Sequence, residues 1–364
     1  VELREIELVT TADALTRVVA EIRESSLVAV DTEFVRETTY YPKLCLVQVA
    51  TADLAACVDC LALDLEPLYA ALMREGCTWV LHSARQDLEV VFQRTARLPS
   101  ALIDTQVAAA LLGYAPQIGL ESLLERTLGV ELGESFARTD WSRRPLPDAA
   151  LRYALDDVRY LLATWQHLQA RLADLNRTAW LEEECRRLIA DPPVADVAAI
   201  WARLKGARAM APEQHGAALA LVQWREERAQ RADRPRRWLL ADETLLAIAQ
   251  ALPKSLDELR AIVPARLAAK HGAEILAAIT RHDAPPLRAL VEEHTARAAP
   301  ERQRLKELQA FVRRRAAELG IEPEILATRR DLAAFAAGNP PAHLVRGWRA
   351  AELTRLSALE PALG

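Results

Sequence analysis

From Leu27 to Phe34 the chain is apolar apart from Asp31, Thr32 and Glu33, and a short apolar run of this length predicts a buried strand. Two more such runs, Leu44–Thr51 and Ala55–Val58, follow after short connections, which favour antiparallel pairing. The first element is a helix at roughly residues 11–24, where apolar positions recur at helical spacing. Beyond the three strands come a helix, the strand Thr78-Trp79-Val80-Leu81, a helix carrying Asp87-Leu88-Glu89-Val90-Val91, and the short strand Leu102-Ile103-Asp104. Asp104 and Thr105 precede an apolar helical run, where an acid serves better as a helix cap than as a metal ligand. Several helices follow, one of them over Leu151–Leu162, and everything after residue 195 has a helical pattern. The predicted architecture is a mixed sheet flanked by helices, followed by an all-α region.

Side chains two apart on a strand share a face, so Asp31 and Glu33 point to one spot with Thr32 turned away. Two unpaired carboxylates at the edge of a core repel each other, and a divalent cation removes that cost. The plain alternative is a solvated strand end. Asp87 lies in the first turns of its helix, where an acid also complements the helix dipole. Tyr153 and Asp157 are four apart and share a helix face; Asp156, three from Tyr153, is not excluded by spacing.

Four carboxylates and a tyrosine on separate elements resemble the DEDD family of 3′→5′ exonucleases, in the subgroup that uses Tyr. The likeness extends to longer stretches. Asp31-Thr32-Glu33-Phe34-Val35-Arg36-Glu37-Thr38-Thr39-Tyr40-Tyr41-Pro42 with Leu46-Val47-Gln48-Val49-Ala50 resembles the first exonuclease motif of ribonuclease D. Leu81-His82-Ser83-Ala84-Arg85-Gln86-Asp87-Leu88-Glu89 resembles the second, and Tyr153-Ala154-Leu155-Asp156-Asp157-Val158 the third, with the catalytic acid at Asp157. Gly119–Leu124, Leu128-Gly129-Val130 and Thr139–Leu146 fit as well. One departure is Glu134, where the family commonly has Lys shortly before the Asp-Trp pair.

The resemblance implies an RNase H-like exonuclease fold with Asp31, Glu33, Asp87, Tyr153 and Asp157 as catalytic residues. It implies two divalent cations, Mg²⁺ or Mn²⁺, suited to hard oxygen ligands. One would sit between Asp31, Glu33 and Asp157 with the attacking water; the other would sit near Asp31, reached by Asp87 directly or through water. Tyr153 would position the water, since with an ordinary pKa near 10 a phenol is a weak base. The expected substrate is RNA with an accessible 3′ end, such as a tRNA precursor, trimmed one nucleoside 5′-monophosphate at a time. A DNA exonuclease and a catalytically silent RNA-binding scaffold are the alternatives. His82 and Gln48 read as structural residues.

Composition changes this picture little. A net charge of −5 is unusual for a nucleic-acid enzyme, but the acids of the site account for part of it and bound cations would offset them. Arg225, Arg228, Arg231, Arg234, Arg236 and Arg237 form one basic cluster, and Arg302, Arg304, Lys306, Arg313, Arg314 and Arg315 another. Each is either a solvated helix face or a phosphate contact. Arg143, Arg144, Arg228, Arg236, Arg237 and Trp238 are the candidate nucleic-acid contacts, while Trp224 reads as core. Five scattered cysteines without a framework fit reduced, cytosolic thiols; Cys57-x-x-Cys60 has no second pair at zinc-finger spacing and reads as two buried strand cysteines. The first residues carry no signal-peptide pattern, no apolar run is long enough for a membrane span, and no obligate protein partner is evident.

With 364 residues, more than one domain is expected. Asp191-Pro192-Pro193 and Ala284-Pro285-Pro286 divide the chain into an exonuclease domain (1–193), a helical domain (205–285) and a second helical domain (290–364). An offset of 87 residues aligns Leu221 with Leu308, Trp224 with Phe311, Arg228 with Arg315, Ala229 with Ala316, Leu239 with Leu326, Leu245 with Leu332 and Pro253 with Pro340. The first copy resembles the helicase-and-RNase-D C-terminal (HRDC) domain, and the second is a degenerate copy.

Overall fold

Six strands form one mixed sheet in the order β1-β4-β3-β2-β5-β6: β1 (Arg4–Val9), β2 (Leu27–Val35), β3 (Lys43–Ala50), β4 (Leu54–Asp59), β5 (Thr78–Leu81) and β6 (Ala101–Asp104). The short connections give antiparallel pairs, β2 with β3 and β3 with β4, as their length requires. The β1–β4, β2–β5 and β5–β6 pairs are parallel. β3 and β4 are central and buried on both faces, which is why they read as continuous apolar runs. This computed structural model describes residues 3–190, 196–207, 210–280 and 302–354. Both proline boundaries, Asp191-Pro192-Pro193 and Ala284-Pro285-Pro286, lie outside the described residues.

β1 precedes the helix that the sequence pattern places first. Its residues alternate acid and aliphatic side chains at the sheet edge and are mostly exposed or half-buried, so no apolar run announces it. Eight helices accompany the sheet in the first part of the chain: α1 (Ala12–Glu24), α2 (Glu66–Leu72), α3 (Arg85–Thr95), α4 (Thr105–Leu111), α5 (Leu120–Leu128), α6 (Asp148–Arg159), α7 (Leu161–Asp174) and α8 (Thr178–Ala190). Thr11 caps α1 by accepting from the Ala14 amide, and Leu15, Val18, Val19 and Ile22 give α1 its buried face. α6 buries Ala150, Leu151, Ala154, Leu155 and Val158 and packs across β2, β3 and β4.

The chain forms two compact units. The first combines the sheet and α1–α8 with five helices from the end of the chain: α15 (Arg302–Leu319), α16 (Pro323–Leu326), α17 (Arg329–Ala336), α18 (Ala342–Val345) and α19 (Gly347–Glu352). These late helices contribute Leu308, Val312, Leu326, Leu344 and Trp348 to the same apolar core as the sheet. Trp348 stacks on Trp180 with ring centroids 4.4 Å apart, and its indole N–H donates to Glu184 at 2.9 Å. Arg349 pairs with Glu184, and Arg177 donates to the carbonyls of Leu111 and Leu319. Trp348→Ala is therefore expected to cost about 3–5 kcal/mol of the first unit's stability, read by denaturant unfolding of the full chain. A loss below 1 kcal/mol would mean that this stack does not hold the late helices.

The second unit holds α9 (Val197–Arg203), α10 (Pro212–Ala232), α11 (Arg236–Leu239), α12 (Asp242–Ala251), α13 (Leu256–Arg260) and α14 (Ala265–Thr280), together with residues Arg36–Pro42. Its core centres on Trp201, Leu221, Leu245, Ile248, Leu259 and Ile275. Trp224 is buried there, donating to Glu274 at 2.9 Å and lying edge-on to His271. The amides of Tyr40 and Tyr41 both donate to Asp233, and the Tyr40 hydroxyl donates to Glu226.

Candidate active site

Antiparallel β2 delivers Asp31 and Glu33 to one face, and α6, lying across that face, supplies Asp157. Oxygen atoms of these three carboxylates lie within 4.8 Å of one another. Among the described residues this is the group able to hold a metal ion, and Cys57 and Cys60 belong to no such group. A bulge between Glu33 and Phe34 ends the regular β2–β3 register beside the cluster, the kind of break that re-aims side chains next to sites.

Asp156 and Asp157 differ in what surrounds them. Asp156 forms a 2.9 Å ion pair with Arg159, while Asp157 faces the β2 acids. Asp87 lies outside the group of three. It is buried on α3, accepts a 2.5 Å hydrogen bond from the Thr32 hydroxyl, and its charge acts on Asp31. Its approach depends on the turn before α3, where Ser83 adopts φ 62°, an uncommon left-handed conformation for a residue other than glycine. Asp104 holds that turn by accepting from the Ser83 and Ala84 amides, and caps α4 by accepting from Gln106 and Val107. His82 is engaged on both ring nitrogens, each 2.9 Å from a partner: the Thr105 hydroxyl and the Ile118 carbonyl.

Tyr153 sits at the rim of the cluster. Its hydroxyl lies near Asp157 and Ser135. Its ring packs between Trp141, centroids 6.3 Å apart and nearly parallel, and Phe136 at 6.2 Å. Ser135, Phe136, Trp141 and Thr32 thus support the expected site residues without being among them. Ser135 and Phe136 lie in an irregular segment with no periodicity, which gives sequence reasoning no handle on them. Glu134, beside Ser135, is exposed.

The electrostatics are one-sided. Burial, followed by the charges of Asp87, Asp157 and Glu33, raises Asp31 well above the ordinary carboxylate value of 3.8. Burial and then Asp157 and Asp87 push Glu33 up to about 9. Burial raises Asp157 to about 7 and Asp87 to about 6, the Thr32 hydrogen bond opposing the shift at Asp87. Tyr153 is raised as well, by burial and then by the charges of Asp157, Glu33 and Asp31. The charged groups acting most strongly on Asp31 and Glu33 are other carboxylates, so the strongest charges around the cluster share its sign. An all-oxygen donor set with uncompensated negative charge fits divalent cations such as Mg²⁺ or Mn²⁺.

The candidate nucleic-acid contacts divide. Arg144 is a correction to the sequence reading. Its guanidinium forms a bidentate pair with Asp59 at 2.6 and 2.7 Å and donates to the carbonyls of Trp141, Arg143 and Cys45. All five donors are used, leaving none for a phosphate. Arg225, in the first basic cluster, is fully buried and held by Asp242 and the Leu240 carbonyl. Arg143 is exposed and pairs with Asp140, and Arg228 lies 3.9 Å from Glu274. Arg236 packs over the Tyr40 ring and pairs with Glu226, Arg237 pairs with Glu243, and Trp238 is 61% exposed.

Comparison with known proteins gives the family and the fold. Residues 6–173 match the family model described as 3′-5′ exonuclease, and residues 214–279 match the HRDC domain. The chain is 36% identical over 352 residues to ribonuclease D of Gluconacetobacter diazotrophicus, covering 94% of this chain and 89% of that one. It is 38% identical over 356 residues to ribonuclease D of Jannaschia sp., covering 94% and 91%. The crystal structure of Escherichia coli RNase D, described as an exoribonuclease involved in structured RNA processing, matches with a TM-score of 0.82 at 28% identity over 96% of each chain. The catalytic core of RRP6 from Trypanosoma brucei shares the fold, with a TM-score of 0.59 at 23% identity over 77% of this chain and 80% of that one.

Proposed function

The chain belongs to the ribonuclease D family, and from that premise we propose that it is a metal-dependent 3′→5′ exoribonuclease that trims the 3′ ends of structured RNAs, tRNA precursors among them. The observation that carries this is the meeting of Asp31, Glu33 and Asp157 beside the Tyr153 hydroxyl. Divalent cations, when bound, would supply an activated water, charge to neutralise a non-bridging phosphate oxygen and stabilisation of the leaving 3′-oxygen. Asp31, Glu33 and Asp157 would hold them, with Asp87, whose charge acts strongly on Asp31, reaching a second cation directly or through water. Hydrolysis joins the water oxygen to phosphorus and breaks the bond to the 3′-oxygen, which takes a proton, releasing a nucleoside 5′-monophosphate.

Tyr153 orients the attacking water. A phenol with an ordinary pKa near 10 stays protonated at neutral pH, so the proposed role is hydrogen bonding and not that of the base. Tyr153→Phe is expected to lower kcat roughly 10²-fold with KM changed little, by steady-state kinetics on a labelled oligonucleotide. A pure KM effect would remove this role.

Exposed Arg143, Arg237 and Trp238 and half-buried Arg228 and Arg236 are the proposed RNA contacts, Trp238 offering a face on which a base can stack. The late helices are proposed to be a degenerate second HRDC copy. In support, α11 and α16 have the same length and lie 87 residues apart, and α10 and α15 end at that same offset. The test of function is a time course on a 5′-labelled tRNA carrying extra 3′ nucleotides. A one-nucleotide ladder that stops near the mature end and vanishes in EDTA is expected. The same ladder on DNA alone would indicate a DNA exonuclease, and tight binding without cleavage a scaffold.

A further inference from the structure

Gln48 is fully buried, yet neither its amide nitrogen nor its amide oxygen has a hydrogen-bond partner among the described residues. Buried side-chain amides without partners are rare, because each group loses its water and gains nothing in return. Its position makes it more than an oddity of the core. On the antiparallel β2–β3 pair Gln48 lies directly opposite Asp31, and on the β3–β4 pair it lies opposite Cys57. Cross-strand neighbours share a face with Cβ atoms about 4.5–5.5 Å apart. Asp31, Gln48 and Cys57 therefore form one row across three strands. The Cys57 thiol reaches the Leu151 carbonyl of α6 at 4.0 Å, so this row runs beneath the helix that carries Tyr153 and Asp157.

We propose that Gln48 is a positioning residue for the carboxylate cluster, its unpartnered amide N–H being the donor that the Asp31 carboxylate takes up when it holds a cation. A carboxylate that ligates a cation with one oxygen has lone pairs left on the other, and a hydrogen bond there orients the ligand. Gln48 carries a donor on the neighbouring strand, directly opposite Asp31 and closed to solvent. Leu or Met would fill the same space without stranding two polar atoms, and a purely structural role gives no reason for the amide. This inference rests on the cation-binding role proposed for the cluster.

The test is Mn²⁺ binding by calorimetry, with melting temperature measured in EDTA, on the full chain, Gln48→Met, Gln48→Asn and Asp31→Asn. Gln48→Met keeps length and loses the amide. It is expected to melt in EDTA no lower than the unaltered chain, yet bind Mn²⁺ at least about tenfold more weakly. Gln48→Asn keeps an amide one methylene too short and is expected to lose affinity likewise, which preserves the test if Gln48→Met does not fold. Folded variants that bind Mn²⁺ within twofold of the unaltered chain would overturn the positioning role while leaving the cluster's own role intact. If the unaltered chain binds no Mn²⁺, or Asp31→Asn binds it undiminished, the cation-binding role fails and this inference fails with it.

Discussion

Replacing Asp31 by Asn is expected to lower exonuclease turnover on the order of 10³-fold while raising the melting temperature of the cation-free protein. The two effects have one cause. Asp31 faces Glu33 and Asp157 in a partly buried site, and burial together with the charges of Asp87, Asp157 and Glu33 disfavours its ionised form. Asn has nearly the same shape and carries no charge, so it relieves the repulsion and removes the anionic ligand from the centre of the cluster. Turnover is read from the labelled-RNA time course and stability from thermal unfolding in EDTA. Asp156→Asn is the matched control. Asp156 belongs to the Arg159 ion pair and not to the cluster, so activity should stay within a few-fold of the unaltered chain. Full activity in Asp31→Asn would sink the metal-site assignment. A large fall in its melting temperature would instead give Asp31 a structural role that the geometry does not show.

Much of this site was legible because strand periodicity is strict. Asp31 and Glu33 had to share a face once Leu27–Phe34 was read as a strand, and the structure brings both to Asp157. The helix-cap reading of Asp104 followed from its place before an apolar helical run, and that residue also holds the turn leading to Asp87. Helical spacing did not separate Asp156 from Asp157; an ion pair to Arg159 and the packing of α6 over the sheet did. Arg144 failed as a phosphate contact for a related reason. Beside Arg143 in the sequence it looks equally free, but its partner Asp59 lies 85 residues upstream, a distance no local pattern spans. Ser135 and Phe136 escaped because an irregular segment has no period to read. β1 escaped because an edge strand with exposed acids carries no apolar signature. Gln48 was read only as a structural residue; its burial without partners shows once the three-strand row is in place.

The same crowding of charge predicts how stability depends on pH. Glu33 is raised from 4.5 to about 9, Asp157 from 3.8 to about 7, and Asp87 from 3.8 to about 6. In the unfolded chain these groups release their protons near pH 4; in the folded protein they keep them to higher pH. Between those limits the folded state binds more protons than the unfolded one, so stability falls as pH rises. Without divalent cations the first unit is therefore expected to lose on the order of 5–10 °C in melting temperature between pH 5 and pH 9. Saturating Mg²⁺ or Mn²⁺ should reverse most of that loss, and the rescue should grow with pH because cations bind the deprotonated carboxylates. Scans at several pH values, each with EDTA and with Mg²⁺, measure both trends, and a double variant, Asp31→Asn with Glu33→Gln, should flatten both. A melting temperature that rises with pH in EDTA would contradict the uncompensated charge of the cluster. An equal decline with and without cation would mean that Asp31, Glu33 and Asp157 do not hold it.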